Sequence, residues 1–99
     1  MGSFHIEYYP RAKKDLEKVN DSREAVKIID EIERQLSISP FPNPPRKKKI
    51  QGISSPLYRL RIDTGRDSYR VFYTFQSIQV VILRVVKKKD ADKIIKSFR

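Results

Sequence analysis

Three strand-like runs crowd the last half of the chain: "LYRLRID" at 57–63, "DSYRVFYTF" at 67–75 and "IQVVILRVV" at 78–86. Connections this short suit antiparallel neighbours, so this region is expected to build a sheet. "TGR" joins the first two runs, and Gly65 supplies the positive φ that a tight hairpin needs. In the first run Tyr58, Leu60 and Ile62 share one face; Arg59 and Arg61 share the other. In the second, Tyr69, Val71, Tyr73 and Phe75 share a face, opposite Arg70 and Phe72. The third run is apolar at both parities, which predicts a central strand covered on both sides.

The N-terminal half supplies the cover. "FHIEYY" (Phe4–Tyr9) alternates and predicts a short strand, with His5 an ordinary strand residue. Pro10 suits a first helical position, and Ala12, Leu16 and Val19 recur at helical spacing. Asp21 and Glu24 predict a capping box that opens a second helix. Ala25, Ile28, Ile29, Ile32 and Leu36 form its apolar stripe. So short a connection makes the pair an antiparallel hairpin. "SPFPNPP" (39–45) stops the helix. "RKKK" (Arg46–Lys49) is expected to be an extended basic segment held off the body, followed by a loop with Gly52 and Pro56. "KKKDADKIIKSF" ends the chain with a basic run and a short helix bearing Ile94, Ile95 and Phe98. The expected fold is one α+β domain over residues 1–99, in the order β-α-α-β-β-β-α. A helical hairpin packs on a small, mainly antiparallel twisted sheet.

Charge divides this domain. Residues 1–45 carry 7 basic and 8 acidic side chains; residues 46–99 carry 15 and 4. The chain's net of +10 is thus gathered entirely in its second half, which alone carries +11; this predicts a surface for a polyanion, with nucleic acid the leading partner. No apolar run is long enough to span a bilayer, and no signal-peptide core opens the chain, so a cytoplasmic location is expected. The chain has no cysteine, which excludes disulfides, thiolate zinc sites and a cysteine nucleophile. It also has no glycine-rich phosphate loop and no metal-ligand cluster, so neither cofactor nor metal is expected.

If both apolar strand faces cover the hairpin, Arg59, Arg61 and Arg70 emerge together on the other side. Like charges on adjacent strands repel. A guanidinium cluster there fits an anion, and phosphate matches the guanidinium fork. Arg84 has apolar neighbours, and its direction is not readable. Arg66 is expected to pair locally with Asp67.

The order of elements and the segments "LYRLRID…SYRVFYTF…VVILRVVKKKD" resemble the RelE/ParE toxin superfamily of prokaryotic toxin–antitoxin modules, whose pattern is "YRLR…YRVIY…VLVLRVGHR". The resemblance covers nearly the whole chain. It implies a basic concave sheet face. In the RelE branch that face cleaves messenger RNA on the ribosome; in the ParE branch the fold poisons DNA gyrase. Both are neutralised by an antitoxin, here expected to be acidic. Arg59, Arg61 and Arg70 match the family's strand arginines, and Lys88, or Lys87 before it, matches the basic residue after the last strand. The chain departs from the RelE pattern at its C-terminus. "DADKIIKSFR" has neither the tyrosine nor the histidine usual there, and Val86 stands where a glycine is usual.

Transfer of RNA to its own 2′-hydroxyl needs a base, a stabiliser of phosphorane charge and an acid. Arginine stays protonated and suits only the second task. The expected catalytic set is therefore Arg59, Arg61 and Arg70 on the phosphate, with Lys88, or Lys87 before it, carrying the proton. Asp90 or Asp92 could serve as base only if the last helix places it over the sheet. Lys47, Lys48, Lys49, Arg84, Lys87 and Lys89 are the expected nucleic-acid contacts. Messenger RNA on the ribosome is the expected target of an endoribonuclease. The alternatives are a gyrase inhibitor and an inactive nucleic-acid-binding module of the same fold.

Overall fold

The computed structural model describes residues 4–99. Strand β1 (His5–Tyr8) leads into α1 (Pro10–Glu17) and α2 (Ser22–Leu36). Four strands follow: β2 (Lys47–Lys49), β3 (Tyr58–Asp63), β4 (Ser68–Gln76) and β5 (Gln79–Lys87). A 3-10 turn (Lys88–Asp90) and α3 (Ala91–Ser97) close the chain. The sheet runs β1-β5-β4-β3-β2. β1 pairs with β5 in parallel, and every other pairing is antiparallel. The chain is α+β, with three helices on a five-stranded sheet.

The helices form as the pattern predicts. Pro10 opens α1, and Asp21 caps α2 by accepting a hydrogen bond from Arg23 N. The capping box does not close. Glu24 instead accepts from the Tyr69 and Thr64 hydroxyls, because α2 lies directly over that end of β4. Ile28, Ile32 and Leu36 are buried with Ala12 against Leu60, Ile62, Tyr69, Val71, Tyr73, Val80 and Ile82. That main core lies between the hairpin and one sheet face.

The other face has its own smaller core. Phe72 is buried with Ile50 and Leu57, under Ile94 and Ile95 of α3 and Phe98 at its C-cap. β5 therefore lies inside the sheet and between two layers of helix, as its continuous apolar run predicts. Gly65 takes φ +90 in the β3–β4 turn, a left-handed conformation with little cost only for glycine.

One expectation fails here. Arg46–Lys49 is not held off the body: Lys47–Lys49 is an edge strand, in register with Leu60, Arg59 and Tyr58. The order is thus β-α-α-β-β-β-β-α. Three consecutive lysines carry no strand signal, yet lysine is the residue that edge strands use to discourage further pairing.

Candidate nucleic-acid interface

The register of β3 on β4 brings the arginines together. Arg61 stands directly across from Arg70, and Arg59 across from Phe72. Arg61 N donates to the carbonyl of Arg46, the residue just before β2. Its backbone groups therefore point away from β4, and Arg61–Arg70 is a non-hydrogen-bonded pair. That is the closer kind, with Cα atoms roughly 4.5 Å apart. Two guanidinium groups are thus held side by side on the sheet face opposite the helical hairpin, with Arg59 two residues along.

Arg61 is exposed. Arg70 is 8% exposed, not solvent-facing as expected. Its Nη1 donates to Ser68 Oγ and to the Tyr69 carbonyl, both at 3.1 Å. Arg59 Nη2 donates to the Pro45 carbonyl at 3.3 Å. Burial lowers the Arg59 pKa, and Arg70 and Arg61 lower it further. Burial and then Arg61 lower that of Arg70. Among the described residues none of the three makes an ion pair, whereas Arg23, Arg34, Arg46, Arg66 and Arg84 all do. The cluster is a cationic site without a protein counter-ion.

The expected contact residues separate. Arg84 turns to the hairpin side, where Nε and Nη2 grip Asp15 at 2.8 and 3.1 Å. Val85 N also donates to Asp15. A bulge at Leu83 causes this: Phe72 opposes Arg84 while Tyr73 opposes Ile82, leaving one extra residue on β5. Arg84 is therefore no free phosphate contact. Lys87 lies opposite Tyr69 and pairs with Asp67 at 3.1 Å. Arg66, expected beside Asp67, reaches Asp21 at 2.9 Å instead, since the β3–β4 turn folds over the α2 N-terminus.

The lysine triplet separates too. Lys47 is 7% exposed, and its Nζ donates to the Ser39 carbonyl at 2.9 Å. Burial, then Arg46, lowers its pKa. It is a structural contact and not a nucleic-acid one, because period-two geometry points it to the hairpin side with Leu60. Lys49 shares that side. Lys48 alone lies opposite Arg59 on the arginine face, and it is exposed. Lys88 and Lys89 are exposed in the 3-10 turn. Lys88 comes two residues after Val86, the cross-strand partner of Arg70. The sequence reading missed Ser68 as the anchor of Arg70; an "SYR" at a strand start was the available signal.

A family model described as the ParE toxin of the type II toxin–antitoxin system parDE matches residues 6–92. No curated protein matches the sequence. Among solved structures, the YoeB dimer of Staphylococcus aureus superposes with TM-score 0.57 at 21% identity, over 86% of this chain and 95% of that one. A mutant of the Escherichia coli toxin RelE in the free state gives 0.55 at 18%, over 100% of both. An archaeal RelE–RelB complex from Pyrococcus horikoshii gives 0.55 at 20%, over 87% and 96%. These likenesses establish the shared fold; the sequence match establishes the family. A chain that matches this toxin model from Ile6 to Asp92, on a RelE-like sheet, belongs to the ParE toxin family of type II toxin–antitoxin systems, within the RelE/ParE superfamily.

Proposed function

We propose that this toxin is a metal-independent endoribonuclease acting on messenger RNA loaded on the ribosome. The observation that supports the reading most is the Arg61–Arg70 pair, closely apposed and without a carboxylate partner. A phosphorane passing through the 2′-hydroxyl attack carries extra negative charge, and two fixed forks beside Arg59 suit it. The 2′-oxygen bonds to phosphorus, the 5′-oxygen leaves with a proton, and a cyclic phosphate remains. Arg59, Arg61 and Arg70 hold the phosphate oxygens. Lys88, just past the strand that flanks Arg70, is the proton carrier. Lys48 guides the strand towards Arg59. Lys89 adds to the same approach. The toxin works in the cytoplasm and is silenced by an acidic antitoxin, as the RelE–RelB neighbour suggests.

A second reading, inhibition of DNA gyrase, is favoured by one observation. Tyr58, Tyr69 and Tyr73 all lie on the hairpin face, and His5 is on β1. His5 alternates with the core-facing Ile6 and Tyr8 but lies on the far edge strand, with β5 and β4 between it and β3; no strand tyrosine or histidine among the described residues stands beside the arginine cluster for proton transfer, which contributes ~10²–10⁴-fold where present.

Incubation with programmed ribosomes and with gyrase discriminates. Cuts in ribosome-bound messenger RNA, ending in 5′-hydroxyls and lost in Arg70→Ala, are expected. Intact message with blocked supercoiling would replace the nuclease reading with the gyrase one.

A further inference from the structure

The balance of charge across the first half conceals a division between its two helices. On α1, Ala12, Leu16 and Val19 face the core, and Asp15 is drawn inwards by Arg84. At 100° per residue, Arg11, Lys14 and the C-cap Lys18 fall within about 60° of one another on the outer surface. All three are exposed. Lys13 flanks them, and the remaining acid, Glu17, falls on Lys13's side of the helix. On α2 the exposed charges are mixed in sign, with Arg23, Lys27 and Arg34 among Asp30 and Glu33.

This stripe is costly for the helix that carries it. Arg11 and Lys14 are an i,i+3 like-charge pair, and Lys14 and Lys18 an i,i+4 pair; both repel. Arg11 also lies in a first turn that holds no acid, where the helix dipole disfavours a cation. Among the described residues none of the three makes an ion pair. Asp15, one turn on from Arg11, is spent on Arg84, and Glu17, three residues on from Lys14, makes no ion pair among the described residues.

We propose that Arg11, Lys14 and Lys18 form a second contact surface for nucleic-acid phosphates, on the opposite side of the molecule from the arginine cluster. α1 packs on β5 from the hairpin side, while Arg59, Arg61 and Arg70 occupy the other sheet face. A strand lying on the arginines does not reach α1 without rounding the sheet. The toxin therefore sits between two segments of RNA backbone, one to be read chemically and one that only holds it. The surface stands independently of the cleavage chemistry.

The test is binding of a labelled single-stranded RNA across roughly 50 to 200 mM salt. Each phosphate neutralised adds ~0.7 to the logarithmic salt slope for a single strand, so Arg11→Gln/Lys14→Gln/Lys18→Gln should lower it by about 2. Arg11→Lys/Lys14→Arg/Lys18→Arg should keep it. An unchanged slope in the neutral variant overturns the proposal; so does an unchanged slope with weakened binding to polyglutamate, which would assign the surface to an acidic polypeptide. On the wild type, bound RNA should shield Lys14 and Lys18 from acetylation, and equal labelling with and without RNA overturns it whatever the variants do. A reduced slope in a toxin that cuts no ribosomal message would refute the nuclease reading and leave this surface standing.

Discussion

Arg61 and Arg70 oppose each other in a non-hydrogen-bonded pair of β3 and β4, and no carboxylate among the described residues pairs with either. Repulsion at such short range is a standing cost to the sheet. An anion bound between the two forks would relieve it.

Arg70→Ala should therefore cost cleavage on the order of 3 kcal/mol, a loss of ~10²-fold or more. Arg70→Lys should rescue poorly, since a point charge lacks the fork. Stability should change by no more than about 1 kcal/mol, because two lost hydrogen bonds are offset by relief from Arg61. Single-turnover cleavage beside thermal denaturation checks both. Full activity in Arg70→Ala would remove the cluster from the chemistry.

The lysines of β2 should behave as three different residues. Lys47→Ala should destabilise by about 1–3 kcal/mol, since it leaves the Ser39 carbonyl without its donor. Its effect on RNA affinity should vanish once folding is corrected for. Lys48→Ala should leave the melting temperature alone and reduce the salt slope by about 0.7. Equal effects from all three would contradict the register.

Arg84 and Asp15 are both largely shielded. Asp15→Ala should destabilise by roughly 3 kcal/mol or more, because an uncompensated buried cation remains. Asp15→Ala with Arg84→Met should recover much of that loss. The salt slope for RNA should not respond to Arg84→Met. A double-mutant cycle by denaturant titration reads the coupling.

Stability should fall as pH rises through 10. Burial holds the phenols of Tyr8, Tyr69 and Tyr73 well above their usual 10.0, helped at Tyr8 and Tyr69 by the carboxylates of Glu33 and Glu24. A pKa raised by folding stabilises fully below the unfolded value and is lost as pH climbs past it. Lys47 acts oppositely, since its lowered pKa adds stability as pH approaches 10.5, but it is one group against three. At the acid end burial opposes ionisation of Glu31, yet its hydrogen bonds to Arg34 and Gln35 prevail and lower its pKa. That contribution is present above the ordinary value and is lost as pH falls. Melting temperature against pH should show a plateau between, and phenolate absorbance from these three should rise only with unfolding.

Much of this was legible because periodicity reports directly on burial. Ile28, Ile32 and Leu36 announce α2, and Leu60, Ile62, Tyr69 and Val71 announce the sheet face beneath it. The same alternation placed Arg59, Arg61 and Arg70 on one side. What escaped lacked a local signal. β2 is made of lysines, and its pairing is decided by β3. Leu83 interrupts the alternation of β5, so the direction of Arg84 depends on Asp15, 69 residues away in sequence. Arg66 and Glu24 choose partners across the fold over the nearer options that sequence offers. Burial of Arg70 goes with its hydrogen bonds to Ser68 Oγ and the Tyr69 carbonyl, which strand alternation does not reveal.

The parallel pairing of β1 with β5 also sets a timetable. Among the described strands the earliest has its sheet neighbour in the last, with His5 beside Gln79. At ~5–20 residues per second, about 4–15 s of translation separates them. β3 and β4, which carry Arg61 and Arg70, need only a short hairpin to meet. The nascent toxin thus assembles its cationic face before its sheet is finished, on a chain whose leading edge is still unpaired.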